Sequence, residues 1–425
     1  MTRKFFKNYH TARNFSLITL FIAYLFFLVV LAGLFSGCGR FDRDTITVIV
    51  SLDGFRWDYP RMYDTPNLQK IAREGVHVQS MTPSFPASTF PMHYTLATGL
   101  VPDKHGIIDN SFWDTKRNLR YSMSDSPTRN NPAYYGGESI WITAQKQGVR
   151  TANIYWPGSD IPIQDTYPDD YKRWENTPRL SFAQRIDTVA AWLNRPKDKR
   201  PRLIMLYFEE PDGVGHRYGP VSEQTGGQVH ILDSLIGVLI TKIEQSPLAE
   251  RINLIVTSDH GMAETNIERM VRIDDYLKTT WYERISGSNP SSVFTREDCR
   301  DSVLNALANA EHISAYRKED IPPHLNYGSN RNIGDVLVIP DCGWQFSNAT
   351  RSQLGGHGYV PECLDMHVIF YACGPDFKRN YRYSVIHNTD VYPLLAHLLG
   401  IKPAPSDGDF ERIKDMILTK KYHIN

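Results

Sequence analysis

Acidic residues follow three short apolar segments of this 425-residue chain. The segments are rich in β-branched residues, which is typical of strands buried in a parallel sheet. Ligands of open α/β sheets bind beyond the carboxyl ends of the strands, so the acidic side chains are expected at one edge of the sheet. Adjacent carboxylates repel one another unless a cation lies among them, and the pattern therefore predicts a metal site. The segments and their acids are Thr45–Leu52 with Asp53, Arg202–Phe208 with Asp212, and Ile252–Thr257 with Asp259.

Three histidines belong to the same pattern. His216 and His260 lie in the loops of Asp212 and Asp259, and His357 lies in a further glycine-rich loop. Mixed histidine and carboxylate ligands suit zinc, with a position left open for substrate or water. Each short motif alone is common by chance. Their combination at the ends of successive strands predicts two zinc ions, each with three protein ligands.

A candidate nucleophile lies in the segment Pro83–Tyr94, which contains the hydroxyls of Ser84, Ser88 and Thr89. A helix is predicted to begin shortly after these hydroxyls, at Met92. A hydroxyl at a helix N-terminus lies where backbone N–H groups and the helix dipole favour anions, and a bound metal would lower its pKa. The alternative is that one of these hydroxyls only caps the helix. Spacing alone does not choose among the three residues.

The elements that position these residues are apolar strands alternating with amphipathic helices. Met366–Ala372 is a fourth strand of the same character. The alternation predicts an α/β fold with a mostly parallel central sheet that is flanked by helices on both faces. The predicted helices are Thr65–Gly75, Met92–Thr98, Ser139–Lys146, Phe182–Leu193, Val229–Ile243 and Thr389–Leu399.

The alternation is lost between about residues 263 and 354. This stretch is polar and is interrupted by Asn289-Pro290 and Pro322-Pro323, so we interpret it as an inserted cap subdomain. The catalytic domain is predicted to cover residues 45–405, and residues 406–425 form a C-terminal tail.

The charge balance limits the partners. Lys and Arg together number 47, as do Asp and Glu. A neutral chain lacks the basic surface that general binding to polymeric nucleic acid requires, although it permits a local anion site. The expected substrate is therefore a small molecule.

The first 38 residues have the pattern of an export signal, since basic residues precede an apolar run from about Phe15 to Phe35. The small residues before Cys38 resemble the lipobox of bacterial lipoproteins, with Phe35 where leucine is usual. The run of ~20 residues is also long enough to span a bilayer as an uncleaved anchor. Both interpretations predict an exported protein, attached to a membrane by its N-terminus, with the catalytic domain outside the cytoplasm.

The four remaining cysteines are Cys299, Cys342, Cys363 and Cys373. An even number in an exported chain permits two disulfides, in any of three pairings. None of them forms a paired C-x-x-C motif, so a thiolate metal site is not expected.

Long motifs, in order, make the chain from about Thr45 to Pro405 resemble the nucleotide pyrophosphatase/phosphodiesterase family of the alkaline phosphatase superfamily. The motifs are T-P-N-L-x-x-I-A-x-x-G-V (65–76), T-F-P-M-H-Y-T-L-A-T-G (89–99), H-G-I-I-D-N-S-F-W-D (105–114), W-P-G-S-D (156–160), E-E-P-D-G-V-G-H-x-Y-G-P (209–220) and T-S-D-H-G-M (257–262). Because of these motifs, we identify the chain as a bacterial exported member.

The resemblance implies roles for the candidate residues. The threonine of T-F-P, here Thr89, is the nucleophile in such enzymes, and it attacks phosphorus to form a phosphothreonine that water then hydrolyses. One zinc is implied at Asp53, Asp259 and His260, in contact with Thr89. The other zinc is implied at Asp212, His216 and His357.

The resemblance also implies the substrate contacts. Asn110 donates to a phosphoryl oxygen, and Phe90 and Trp174 enclose the organic leaving group. The family often has Lys and Asn where this chain has Ser88 and Met92, and commonly has Tyr at the position of Trp174. These differences concern substrate preference.

The implied activity is hydrolysis of phosphodiester or phosphoanhydride bonds of extracellular nucleotides to nucleoside 5′-monophosphates. A phosphomonoesterase would surround its phosphate with more cations than the residues near Thr89 supply. A phospholipid or choline-phosphate diesterase of the same superfamily is a further alternative, and would need an aromatic cage for the quaternary ammonium. An inactive surface-binding protein is disfavoured because all six ligands and the threonine are present.

Overall fold

The computed structural model describes residues 45–346 and 353–418. Its centre is an eight-stranded sheet with the spatial order β8-β2-β7-β6-β1-β5-β3-β4. Neighbouring strands are parallel except for β7, which is antiparallel to both of its neighbours. In chain order the strands are β1 (Ile46–Leu52), β2 (Val76–Thr82), β3 (Thr151–Ile154), β4 (Asp170–Lys172), β5 (Leu203–Phe208), β6 (Ile252–Thr257), β7 (Val368–Cys373) and β8 (Tyr381–His387).

Helices cover both faces of this sheet. The helices of the described residues, of which α10 belongs to a smaller sheet, are α1 (Tyr59–Met62), α2 (Pro66–Glu74), α3 (Thr89–Thr98), α4 (Pro102–His105), α5 (Ser126–Arg129), α6 (Ile140–Lys146), α7 (Phe182–Leu193), α8 (Asp212–Tyr218), α9 (Glu223–Glu244), α10 (Arg300–Leu307) and α11 (Val391–Leu399). The mostly parallel α/β architecture predicted from the sequence is therefore confirmed.

Two apolar clusters hold the three layers together. Ile49 of β1 belongs to a cluster with residues of α3, α6 and α11. Val48 and Val50 belong to a second cluster with residues of α2, α7 and α9. Successive residues of a strand point to opposite faces, so β1, which is buried along its whole length, contributes to both clusters.

The strand predicted at Met366–Ala372 is present as β7, but the prediction that it joins the parallel set is wrong. A bridge joins Val368, the first residue of β7, to Arg56, which follows the carboxyl end of β1. The chain thus enters β7 from the carboxyl edge of the sheet, after the loop of His357. It must run back toward the opposite edge, and this makes β7 antiparallel.

A smaller antiparallel sheet lies within the stretch predicted as an insertion. Helix α10 packs with it around an apolar cluster that includes Val293, Val303 and Val336. The bounds of the insertion, about 263–354, stay a prediction. The strands of this sheet, in spatial order, are Tyr282–Gly287, Ser291–Thr295, Val336–Pro340 and Ile313–Arg317.

Of the two disulfides that the cysteine count permits, the described residues contain one. Cys342 and Cys363 are bonded, with their Cα atoms 5.9 Å apart, whereas Cys299 and Cys373 are free thiols. The bond closes the chain segment that carries His357.

The predicted signal or membrane anchor, residues 1–38 with Cys38, lies outside the described residues, as does the end of the tail from residue 419. Among the helices of residues 45–346 and 353–418, none combines the length and apolar character needed to cross a bilayer.

Candidate active site

The loops that follow β1, β5 and β6 meet at one edge of the sheet. The N–H of Asp212 donates to the carbonyl of Asp53 (3.1 Å), and the N–H of Gly54 donates to Oδ1 of Asp259 (3.2 Å). Gly54 has a φ of +68°, and a Cβ atom there would lie 3.0 Å from the Cα of Asp212. A glycine after Asp53 is therefore what allows the loops to approach so closely.

Each of the three carboxylates keeps one buried oxygen without a hydrogen-bond partner in the described part of the chain. Asp53 accepts a hydrogen bond from the hydroxyl of Tyr207 at Oδ2 (2.5 Å), and its Oδ1 has no partner. Asp259 accepts from Gly54 at Oδ1, and its Oδ2 has no partner. Oδ1 of Asp212 has none either. Buried oxygens of this kind are costly unless a ligand or ion satisfies them.

The three histidines are held in a matching way. In each ring Nδ1 lies within hydrogen-bond distance of a backbone carbonyl, so when Nδ1 carries the proton the Nε2 lone pair is free to bind a metal. The contacts are His216 with Gly355 (2.7 Å), His260 with Gly261 (2.9 Å) and His357 with Ala87 (3.1 Å).

The carboxylate oxygens and imidazole nitrogens of these six residues that remain available to a metal lie close together. Nε2 of His260 lies 3.3 Å from Oδ1 of Asp53 and 3.3 Å from Oδ2 of Asp259. Oδ1 of Asp212 lies 3.3 Å from Nε2 of His216 and 3.8 Å from Nε2 of His357. The six residues expected from the sequence are thus brought together.

Among these six residues, two groups of three meet the spacing of a metal site, with ligand atoms within 4.8 Å of one another. One is Asp53, Asp259 and His260, as expected. The other joins Asp212 and His357 to His260 rather than to His216. His260 thus stands between the groups, and His216 reaches the second one through its contact with Asp212. The assignment of ligands to each ion stays a prediction.

The burial and the charges of the site favour the binding of a cation. Burial raises the pKa of Asp53 well above its usual value, and the charges of Asp259 and Asp212 raise it further. Burial lowers the pKa of His357, and His260 and His216 lower it further. A bound cation reverses the effect on Asp53, because it stabilises a charged carboxylate, and it acts in the same direction as the effect on His357, because it favours the neutral imidazole that can bind a metal. The donor set of histidine nitrogens and carboxylate oxygens fits zinc.

Thr89 is the candidate nucleophile that the structure places against this group. It is the first residue of α3, and its Oγ1 lies 3.1 Å from Nε2 of His260. The other two hydroxyls are engaged elsewhere: Ser84 donates to Asn388 (2.8 Å), and Ser88 hydrogen bonds to the buried Asp109.

Helix α3 begins three residues earlier than the predicted start at Met92. Pro91 lies in its first turn, where the missing N–H costs no hydrogen bond within the helix. The earlier start places Thr89 in the first turn, where the helix favours an anion.

Asn110 lies beside the candidate nucleophile. Its Oδ1 accepts the backbone N–H of Phe90 (2.9 Å), and this contact leaves the amide nitrogen as the end that can donate to a phosphoryl oxygen. Asn110 is therefore oriented for the role that the family resemblance implies.

A cavity of about 530 Å³ opens beside Thr89 and is lined by Phe90, Trp174, Asp53 and Asp212. Phe90 and Trp174 thus line one cavity, although they are 84 residues apart in the sequence. The Trp174 ring is supported by the edge of Tyr155, at a centroid distance of 5.5 Å. A larger cavity of about 690 Å³ elsewhere contains none of the candidate ligands.

Two residues of the site were not identified from the sequence. Tyr207, in β5, donates to Asp53. His93 lies with Nδ1 2.9 Å from the carbonyl of Thr89 and 3.3 Å from Oδ2 of Asp259. His93 follows Thr89 by four residues on one helix face, and that spacing could have indicated it. No sequence pattern indicated Tyr207, because an aromatic residue is typical of a buried strand such as β5.

Comparison with known proteins identifies the family to which a chain with this fold and this site belongs. The sequence profile described as "Type I phosphodiesterase / nucleotide pyrophosphatase" matches residues 47–360. Human ectonucleotide pyrophosphatase/phosphodiesterase family member 5 is 36% identical over 374 residues, which cover 87% of this chain and 77% of the human protein. Bis(5′-adenosyl)-triphosphatase enpp4 of Xenopus laevis is 36% identical over 373 residues, covering 87% and 81%.

Venom phosphodiesterase CdcPDE of Crotalus durissus collilineatus is 36% identical over 389 residues, and this chain spans 47% of its length. Among solved structures, murine ectonucleotide pyrophosphatase/phosphodiesterase 5 superposes with a TM-score of 0.83 at 34% identity, covering 88% of this chain and 100% of the murine chain. That structure is of an inactive threonine-to-alanine variant in complex with AMP.

Proposed function

This chain belongs to the type I phosphodiesterase/nucleotide pyrophosphatase family, hydrolases that act on phosphodiester and pyrophosphate bonds of nucleotides, and we propose that it is a two-zinc enzyme with a threonine nucleophile. Its substrates are extracellular nucleotides with a diester or anhydride at the α-phosphate, and its product is a nucleoside 5′-monophosphate. The observation that carries the proposal is the convergence of unpaired carboxylate oxygens and imidazole nitrogens next to Thr89.

Zinc, when bound, supplies positive charge that lowers the pKa of a hydroxyl and stabilises the phosphoryl oxygens. Asp53, Asp259 and His260 would hold one ion, and Asp212, His216 and His357 the other. The remaining chemistry belongs to the chain itself. Oγ1 of Thr89, as alkoxide, forms a bond to phosphorus while the bond to the leaving oxygen breaks, and the leaving group departs with the electron pair. Water then hydrolyses the phosphothreonine and restores Thr89.

Three side chains hold the phosphoryl group and the base. The amide nitrogen of Asn110 donates to a non-bridging oxygen, because the amide oxygen is already bonded to Phe90. The nucleoside stays bonded to phosphorus when the leaving group departs, so Phe90 and Trp174 are assigned to the nucleoside and not, as the resemblance implied, to the leaving group. Both residues line the cavity on which its base can stack, and stacking contributes about 1–3 kcal/mol per base whatever its identity. Affinity for nucleotides with weak base selectivity follows.

The relatives support this substrate class. The Xenopus relative is named as a bis(5′-adenosyl)-triphosphatase, and the murine structure holds AMP in a variant inactivated at a threonine. Both agree with release of a nucleoside monophosphate by a threonine-dependent reaction.

A phosphocholine diester is the second candidate substrate, because the same cavity combines acidic and aromatic walls. Asp160 and Glu210 line it together with Tyr155 and Trp174. Rings and carboxylates together attract a quaternary ammonium. A nucleotide is favoured because the relatives are nucleotide hydrolases.

The test compares three chromogenic substrates on the purified zinc-loaded protein: a nitrophenyl nucleotide diester, nitrophenyl phosphate and nitrophenyl phosphorylcholine. We expect the highest kcat/KM for the nucleotide diester. Preference for phosphorylcholine would transfer the assignment to the second candidate, and preference for nitrophenyl phosphate would refute a diesterase. Elemental analysis should give about two zinc ions per chain, and a single ion or mainly magnesium would contradict the ligand sets.

We further propose that the N-terminus exports the enzyme and attaches it to a membrane, through lipid on Cys38 or as an uncleaved anchor. The sequence of residues 1–38 supports this. The Cys38→Ser variant should lose processing and membrane attachment if the anchor is lipid. Unchanged fractionation would favour the uncleaved anchor, and fully cytoplasmic wild-type protein would refute export.

A further inference from the structure

A second pocket, of about 290 Å³, lies away from Thr89 and has only basic residues among its charged lining. None of the residues that line it also lines the cavity of Thr89. The cavities of about 690 Å³ and about 530 Å³ contain carboxylates, such as Glu362 and Asp407 in the former and Glu210 in the latter. We call this site the arginine pocket. Its lining residues are Trp57, Pro60, Arg61, Gln69, Ala72, Arg73, His77, Tyr371, Asn380 and Arg382.

The floor of the arginine pocket is a row of side chains on three adjacent strands. His77 of β2 is paired in register with Tyr371 of β7 on one side and with Arg382 of β8 on the other. Residues in register on neighbouring strands point to the same face. The rings of His77 and Tyr371 stack with centroids 4.6 Å apart, so the floor is fixed by packing.

The walls come from helices α1 and α2. Arg61 of α1 lies with its guanidinium 4.7 Å from the ring centroid of Trp57, and Arg73 is in the last turn of α2. Three exposed arginines from separate elements, Arg61, Arg73 and Arg382, therefore line one small cavity.

These guanidinium groups lack anionic partners in residues 45–346 and 353–418. No ion pair joins Arg61, Arg73 or Arg382 to a carboxylate there, whereas other arginines of the same domain, such as Arg185 and Arg412, are paired. The crowding of positive charge also affects His77: burial lowers its pKa, and Arg382 and Arg61 lower it further. An anion in the pocket would relieve this repulsion.

We propose that the arginine pocket binds a phosphate-bearing anion. The planar guanidinium group matches phosphate in two-pronged hydrogen bonds, which makes arginine the residue best suited to this ligand. The volume lies at the small end of ligand pockets, which begin at about 300 Å³. It therefore suits pyrophosphate or a phospholipid headgroup rather than a whole dinucleotide. The proposal does not depend on the reaction at Thr89.

The test uses the full-length zinc-loaded protein and two triple variants. In the pocket variant, Arg61→Gln, Arg73→Gln and Arg382→Gln remove the three charges. In the matched control, Lys116→Gln, Lys199→Gln and Arg296→Gln remove three exposed charges that line none of the cavities described above. Thermal unfolding and hydrolysis of a nucleotide diester confirm that all three proteins are folded and active.

Inorganic pyrophosphate is titrated by calorimetry in the presence of excess AMP, which competes for the Thr89 cavity. Any pyrophosphate that still binds in that cavity should do so equally in all three proteins, because none of the substituted residues lines it. We expect a binding event in the wild type and the control that is weaker by about tenfold or more in the pocket variant, because charge-assisted hydrogen bonds are lost.

Sedimentation with phosphatidylcholine vesicles, with and without phosphatidylglycerol, distinguishes the sources of the phosphate. Loss of binding to anionic vesicles in the pocket variant alone would assign the ligand to a lipid headgroup, and loss of pyrophosphate binding alone would assign it to a soluble phosphate. Equal binding of both probes by the three proteins, or equal losses in both variants, would overturn the proposal.

Discussion

Replacing Tyr207 with phenylalanine should weaken zinc binding without disturbing the fold. The Tyr207 hydroxyl donates to Oδ2 of Asp53, and this leaves Oδ1 free toward His260. The tyrosine ring packs against His93 with centroids 4.8 Å apart. Phenylalanine keeps these ring contacts and removes only the hydroxyl, so the change isolates one hydrogen bond to a candidate ligand.

The size of the effect follows from the environment of Asp53. A hydrogen bond to a charged group contributes about 1.5–3 kcal/mol, and partners that orient metal ligands typically change metal affinity by about 10–100-fold. Asp53 is buried beside Asp259 and Asp212, which already disfavour its charged form. We therefore expect zinc affinity at this group to fall by about 10–100-fold.

The assay is a zinc titration in competition with a chelating dye, followed by activity measured against free zinc concentration. The zinc concentration for half-maximal activity should rise by the same factor as the dissociation constant. At saturating zinc, kcat should stay within about threefold of the wild type, because Tyr207 is assigned no role toward substrate.

Tyr59→Phe is the matched control. Tyr59 is also buried, and its hydroxyl has no hydrogen-bond partner among the described residues, so its loss should leave zinc affinity unchanged. If Tyr207→Phe retained wild-type zinc affinity, the argument that this hydroxyl orients Asp53 would be refuted. An equal loss of affinity in both variants would attribute the effect to core packing.

Three further predictions concern the nucleophile, the base and a buried acid. Thr89→Ala should lower kcat by about 10⁴-fold or more while zinc content and melting temperature stay unchanged; substantial activity would exclude a threonine nucleophile. Trp174→Ala should raise KM for nucleotide diesters by about 5–150-fold, from the loss of one stacked base, and leave a small aryl diester unaffected; equal losses would make Trp174 structural. Burial raises the pKa of Asp109 to about 7, so the folded protein favours the neutral acid, and the stability that its proton contributes is lost as pH rises from about 4, the pKa of an unfolded aspartate, through 7. Calorimetry from about pH 5 to 8 should therefore show a smaller fall in melting temperature for Asp109→Asn than for the wild type; an equal fall would assign the pH dependence to other groups.

Strand positions were predictable where the sequence is apolar on both faces. The segments ending at Leu52, Phe208 and Thr257 were located to within one residue at each end. Strand β2 was missed because His77 and Gln79 interrupt its apolar residues. The polar positions are accommodated because β2 lies next to the edge strand β8, where one face is less covered.

The candidate site was predictable as a set of residue types, because acids and histidines that follow strands must gather at one edge of a parallel sheet. Local sequence could not choose among Ser84, Ser88 and Thr89, since all three precede the predicted helix start at Met92. The structure separates them by their distant partners: Asn388 for Ser84, and His260 for Thr89.

The type of fold, the family and the set of candidate metal ligands could be predicted from the amino-acid sequence, because these depend on local patterns and on ordered motifs. The tertiary structure decided the direction of β7, the hydrogen bond from Tyr207 that selects one oxygen of Asp53, and the meeting of Arg61, Arg73 and Arg382 in one pocket. These features arise from contacts between segments far apart in the chain. Such contacts depend on how the layers pack, and no local pattern of residues encodes them.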